Sequence, residues 1–312
     1  MKCSWESYIH VGMVHPVIFP ETLKGEGPIV ETVRKIIEDD FFGAIEISWV
    51  KDISEREKLS NLLKSSHMDV VFLAGIPILA EKINLSSIDE VERLEAVEKV
   101  KKWVDEAYFS GAKLLLVGGG PDPGKEKRNE AKHSLVHSLK ELCEYAKEKA
   151  TNYTLVVTME NYDRDIDKRF LIGPTLEAVE IAQKVREEFD NFGLTIDQSH
   201  LSQLRESPSV VLEKAKEYIV HVHLANCIIQ DPTHPAYGDQ HPRFGIEGGE
   251  VDSKEISEFL KSLQKVGYFT SKVPTNLPVI SLEIKPLPGE DSNVLIAASK
   301  RVFKEAWARL DF

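Results

Sequence analysis

Four short stretches of this chain each place a potential metal ligand where an extended run comes to its end: Glu160 in VVTMEN, Asp197 in LTIDQSH, His223 in VHVHLAN and Glu283 in ISLEIKP. Side chains alternate faces along a strand, so the residue two places earlier shares the ligand's face. Those residues are Thr158, Thr195, His221 and Ser281. They are small or polar where a plain hydrophobic interior would hold branched aliphatics, and buried polar groups cost free energy unless they are bonded. Three carboxylates and an imidazole brought together repel one another without a cation. A divalent ion resolves the repulsion and requires its ligands deprotonated. Oxygen-rich coordination with one nitrogen suits Mn²⁺, Mg²⁺ or Co²⁺, and Zn²⁺ is also compatible. The chemistry to expect is therefore that of a divalent metal centre held by Glu160, Asp197, His223 and Glu283.

Such a centre needs a scaffold that ends several strands side by side. Eight short β-branched or aliphatic runs are candidate strands, at 8–14, 42–48, 68–74, 112–118, 154–160, 193–197, 218–224 and 279–284. Between them lie segments with apolar residues at three- and four-residue spacing, such as 91–109 and 133–150, whose charges fall on the opposite face. Strands alternating with helices predict parallel pairing. A doubly wound sheet would carry a Gly-rich turn after its first strand, but that strand runs into MVHPVIFP, and the GGG at 118–120 lacks the full nucleotide fingerprint. The expected fold is α/β, a single (β/α)8 TIM barrel forming one domain over 1–312 with no linker-like stretch. Two long loops, 161–174 and 226–251, fall on the carboxyl face, where barrel active sites are built. The second carries Asp231, His234, Asp239, His241 and Arg243. Residues 231–249 are expected to fold over the barrel mouth, turning at Gly245, Gly248 and Gly249 and bringing Asp239 and His241 near His200.

Composition narrows the partners. The apolar fraction of 42% supports a large core. The net charge of −12 argues against duplex nucleic acid or an anionic membrane as partner. Cys3, Cys143 and Cys227 form no C-x-x-C pair and read as reduced thiols. MKCSWESYIH lacks the apolar core of a signal peptide, so a cytoplasmic protein is expected. Assembly into a homo-oligomer is left open.

The ordered set E…D-x-x-H…H-x-H…E, here Glu160, Asp197 with His200, His221 with His223, and Glu283, resembles the xylose-isomerase-like barrel superfamily of sugar isomerases, epimerases and related lyases. The likeness runs from GAIEIS to Glu283. In relatives such as the ketose 3-epimerases, residues matching Glu160, Asp197, His223 and Glu283 bind the metal. The two glutamates also move protons there, and the residue matching His200 touches substrate. The resemblance further implies an acid lining the pocket at Glu46. The chain departs from the epimerases at Ile229 and Ile166, where they place a sugar-contacting Arg and Glu; Arg243, Asp163 and Asp165 are the candidates to replace them. D-Q-H at 239–241 with Gly245 also resembles a loop of endonuclease IV, which would join Asp239 and His241 to His200 around a further metal. The histidines of that enzyme after strands three and four are absent here, where the chain reads FLAGIP and LVGGGP.

The implied chemistry is proton abstraction next to a carbonyl. The metal would stabilise an enediolate while one of Glu160 and Glu283 takes the proton and the other returns it. An isomerase or epimerase acting on a small carbohydrate or polyol is the leading expectation. An inosose-type dehydratase shares the first step; an endonuclease IV-like phosphodiesterase and a non-catalytic sugar-binding barrel are the alternatives. His15, after the first strand, is a further candidate for a substrate hydroxyl, and Trp49 is a candidate pocket wall with core packing as its other reading. His133 and His137, four residues apart on a helix, read as a surface pair, and Cys227 as a bystander.

Overall fold

The computed structural model describes residues 4–311. Each aliphatic run forms a strand: β1 His10–Met13, β2 Ala44–Ile47, β3 Asp69–Leu73, β4 Leu114–Gly118, β5 Val156–Glu160, β6 Phe192–Asp197, β7 Ile219–Ala225 and β8 Val279–Glu283. They pair in parallel in the order β1-β8-β7-β6-β5-β4-β3-β2. The two ends of that order meet through a parallel bridge between Val14 and Glu46 and through the Gly43 N–H, which donates to the Val11 carbonyl at 3.0 Å. The eight strands form a nearly closed barrel, a single (β/α)8 TIM barrel, and not an open doubly wound sheet.

The helices are α1 His15–Ile18, α2 Ile29–Ile37, α3 Ile53–Ser66, α4 Gly75–Ala80, α5 Glu90–Ser110, α6 Arg128–Lys149, α7 Thr175–Arg186, α8 Gln198–Gln203, α9 Pro208–Ala215, α10 Ser253–Lys265 and α11 Ser292–Trp307. The short α1, α4 and α8 follow β1, β3 and β6 directly, on the carboxyl face. The longer helices return the chain and bury one stripe each, as Val97, Val100 and Val104 do on α5. That helix starts where Asp89 accepts the Val91 and Glu92 amides, and it stops at Gly111 with φ 80°. A side-chain acceptor at the start and a left-handed glycine at the end satisfy amides and carbonyls that have no partner within the helix. Among the described residues no helix is long and apolar enough to cross a membrane. Cys143 and Cys227 are free and buried, and Cys3 lies outside the described residues.

The barrel interior is built in tiers. Its floor is apolar, with Val71, Leu114 and Val220. Above the floor lies the polar tier: Thr158 and Thr195 hydroxyls 2.9 Å apart, and the His221 ring between Thr195 and Ser281 at 3.4 and 3.5 Å. Gly12 of β1 is required beside it, because a Cβ there would lie 2.3 Å from Ser281 Oγ. The uppermost tier divides. Val14 just after β1, Leu73 of β3 and Leu116 of β4 are apolar, and β5 to β8 contribute acids and a histidine.

Candidate metal centre

Glu160, Asp197 and Glu283 are the last residues of β5, β6 and β8, and His223 sits opposite Asp197 in the β6–β7 register. Their ligand atoms all lie within 4.8 Å of one another and are buried. His223 Nδ1 stands 2.9 Å from Glu283 Oε2, 3.2 Å from Glu160 Oε1 and 3.8 Å from Asp197 Oδ2. The other ring nitrogen, Nε2, lies 3.0 Å from Glu46 Oε1. A carboxylate that accepts from one ring nitrogen fixes the tautomer and leaves the other nitrogen free to ligate. Asp197 divides its work in the same way. Oδ1 accepts the Ser199 and His200 amides at the start of α8, while Oδ2 is buried with no hydrogen-bond partner.

The electrostatics describe a cluster short of positive charge. The Asp197 carboxyl is raised, chiefly by burial, with Glu283 and Glu160 reinforcing and His200 and His241 opposing. Burial pushes Glu283 up, but His241 and His223 outweigh it and hold it below its usual range. Burial likewise opposes a charge on His223, yet Glu46, Glu283 and Glu160 carry the ring well above an ordinary histidine. A divalent cation among Glu160, Asp197 Oδ2, His223 Nδ1 and Glu283 would relieve these stresses, and the donor set fits one.

A second group lies beside the first. Asp197, His200 and His241 also bring ligand atoms within 4.8 Å, and Asp197 Oδ2, His200 Nδ1 and His241 Nδ1 all lack partners. Both rings place Nε2 2.9 Å from Asp239 Oδ1. Asp239 in turn accepts from Gln203 at 3.3 Å and pairs with Lys168 at 3.0 Å. Burial would raise Asp239, but His241, His200 and Lys168 hold it well below the carboxylate range. His200 is carried up to about 10 and His241 to about 9; burial opposes both, and the acids around them prevail. His241 has φ 48°, unusual outside glycine, so the loop is held in a local strain at this point.

A cavity of about 200 Å³ opens onto the centre. Of the four converging residues, Glu160 and Glu283 line it, together with His200, Asp239 and His241. The loop after β7 reaches this position through two anchors: the Asp239 amide donates to Asp167 Oδ2 at 3.0 Å, and the Lys285 amide to the His241 carbonyl at 2.7 Å. Gly245 and Gly248 take positive φ; Gly249 does not, and a Cβ there would lie 2.6 Å from Asn226 Nδ2.

Other candidates do not reach the cavity. Glu46 lies one tier down with no exposure, beneath His221 Nε2 at 3.1 Å and His223 Nε2 at 3.0 Å, so it faces the histidines and not a ligand. His15 turns into the packing of α1 on α2, where its Nε2 meets Thr32 Oγ1 at 2.8 Å and its ring leans on Phe19. Arg243 is partly exposed and points to Glu290 at 3.6 Å. Asp163 is occupied by the amides of Ile166, Asp167 and Lys168, and Asp165 is exposed. Trp49 donates to the Leu23 carbonyl and packs edge-on against Trp103. His133 and His137 are exposed on α6. Cys227 is buried with its thiol pushed up by desolvation.

Three polar residues of the cavity were not anticipated. Tyr162 donates to Glu160 Oε2 at 3.0 Å and stacks near His200; Lys168 and Lys285 supply cations. Sequence position carried a signal for two of them, since Tyr162 and Lys285 each lie two residues beyond a candidate ligand, just past the end of its strand.

The description of the xylose isomerase-like TIM barrel family matches residues 37–291. No curated protein matches the chain by sequence. Among solved structures, a D-tagatose 3-epimerase-like protein is 20% identical with a TM-score of 0.70, covering 97% of this chain and 100% of its own. The IolI protein, solved with a bound zinc atom, is 17% identical with a TM-score of 0.71, at 97% and 100% coverage. The 3-keto-D-glucoside 4-epimerase of E. coli is 16% identical with a TM-score of 0.66, at 95% and 99% coverage. At such identities the likeness is one of fold.

Proposed function

This chain belongs to the xylose isomerase-like TIM barrel family, and from that premise we propose that it is a divalent-metal-dependent isomerase or epimerase of a small carbohydrate or polyol, working by proton abstraction next to a carbonyl. One observation carries the reading: of the four residues that would hold the ion, the two that also line the cavity are the two glutamates, the side chains able to act as base and acid. Bound there, the ion, with Mn²⁺ the leading candidate, would supply Lewis-acid stabilisation of the oxyanion that forms on the substrate.

The chain's own residues divide the proton work. Glu283 keeps one oxygen on His223 Nδ1, and its other oxygen has no protein partner among the described residues, so it is free to take the substrate proton. Glu160 is braced by the Tyr162 hydroxyl, whose proton is held firmly because burial and the Glu160 charge raise it well above an ordinary tyrosine. That brace sets Glu160 to deliver a proton from a fixed direction. His200, held by Asp239, stands where a substrate hydroxyl would meet it. Proton return to the opposite face yields an epimer, and return to the neighbouring carbon an aldose–ketose isomer.

The test is solvent exchange. Metal-loaded protein incubated with a panel of ketoses and inososes in deuterated water is expected to place deuterium on the carbon beside the carbonyl, read by mass spectrometry. With metal content measured alongside, Glu283→Gln is expected to lose about 100- to 10,000-fold in that rate and Glu160→Gln the same in net conversion of substrate to product. Full exchange by metal-replete Glu283→Gln, or full turnover by metal-replete Glu160→Gln, would overturn the two-glutamate reading. A second reading, two ions and phosphate-ester hydrolysis, draws on the partnerless trio Asp197, His200 and His241. It requires two ions per chain and cleavage of an abasic-site duplex, where the first requires one and none.

A further inference from the structure

We infer that the substrate carries an anionic group, a carboxylate or a phosphate ester, at the end remote from its carbonyl, and that Lys285 receives it. The inference deepens the isomerase reading and rests on it. Lys285 follows Glu283 by two residues, just beyond the end of β8. It lines the cavity over the metal centre and also the outer hollow beyond it.

Its ammonium has no carboxylate partner. Nζ bonds a neutral group, the Gln240 amide oxygen, at 3.3 Å, and it makes no ion pair among the described residues. Two acids share the outer hollow: Glu290 is engaged by Arg243, and Glu21 is exposed. The cavity's other lysine is the opposite case. Lys168 lies 3.0 Å from Asp239 and 3.2 Å from Asp167, and those acids raise it against the effect of burial. Lys168 is therefore already neutralised. Lys285 is a free cation aimed into a cavity of a chain whose net charge is −12.

The ammonium is also held in place. Gln240 Nε2 donates to Asp167 Oδ2 at 3.3 Å, and the Lys285 amide to the His241 carbonyl, so the loops after β5 and β7 both fix it. Glu160 and Glu283 repel an anion from the metal centre, and the apolar lining residues Leu23, Leu73, Ile76 and Leu79 offer it nothing. One end of the cavity is thus suited to a carbonyl with its neighbouring hydroxyl, and the other to an anion. A lysine ammonium, a compact point charge, accepts a carboxylate or a phosphate.

D-fructose, D-fructuronate and D-fructose 6-phosphate form a matched probe set that differs at the far carbon: alcohol, carboxylate and phosphate ester. Binding to the Mn²⁺-loaded protein by calorimetry is expected to favour one or both anions over fructose by about 10- to 100-fold. Lys285→Met and Lys285→Gln should erase that preference by weakening anion binding far more than fructose binding; the anion that wins identifies the source of the charge. Equal binding of all three, a preference retained in both variants, or no binding of either anion overturns the inference. Deuterium exchange on the same samples keeps the two readings apart. Exchange without anion preference sinks the anion and spares the enolisation, and anion preference without exchange on any probe does the reverse.

Discussion

Histidines 200, 223 and 241 each commit Nε2 to a carboxylate and leave Nδ1 aimed at the cluster of acids. His15 is built differently. Thr32 donates its hydroxyl proton to the Pro28 carbonyl at 2.7 Å, so it accepts from His15 Nε2–H. Burial lowers it to about 3 from 6.5. Its folded value is depressed, so between those values the unfolded chain binds more protons at this residue. The contribution to stability is complete above about pH 6.5 and is lost as pH falls toward 3. Denaturant unfolding followed from pH 7 to pH 4.5 should show a slope smaller in His15→Asn than in the parent, by up to about 1.4 kcal/mol per pH unit. Identical slopes would show that the ring is not buried neutral. Type and position exposed Glu160, Asp197, His223 and Glu283 in the sequence, because each ends a recognisable run. The orientation of His15 was not legible, since it depends on a single turn of helix after β1 and on Thr32 across the packing.

At the scale of elements, the eight strands could be read because each is a short run rich in aliphatic and β-branched residues between longer helical patterns. Contacts across the barrel could not be read. Glu46 meets His223 over a separation of 177 residues, and nothing local to GAIEIS distinguishes an acid facing histidines from one facing a ligand. The loop after β7 was legible in its length and residue types but not in its anchors. Beside the Asp167 anchor sits Gly238, with φ 85° and its N–H on the Ile228 carbonyl; a Cβ there would fall 2.7 Å from Asp167 Cβ. Gly238→Val therefore faces both a strained φ and a clash with the side chain that holds Asp239. The expected cost is about 1–3 kcal/mol, confined to the loop. Hydrogen exchange should quicken across 231–249 and leave the β5 to β8 amides protected. Unchanged exchange in the loop, or equal acceleration in the strands, would show that this anchor does not hold it.

For the molecule as a whole, the barrel sorts its interior by strand. Val14 just after β1, Leu73 of β3 and Leu116 of β4 bring the apolar wall, β5 to β8 bring the acids and His223, and β2 supplies Glu46 beneath them. Closure through Val14 and Glu46 places the two halves face to face across one small cavity. That division puts the candidate metal ligands on one side, with Glu160 and Glu283 lining the cavity, and an apolar wall on the other. The arrangement stands or falls on where a cation goes. Crystals grown with Mn²⁺ and measured for anomalous scattering locate it directly. The strongest peak is expected about 2.0–2.3 Å from Glu160, Asp197 Oδ2, His223 Nδ1 and Glu283, with the Asp197→Ala protein losing it. A map with no peak there, or with its only peak between His200 and His241, would contradict the centre from which the whole functional reading is built.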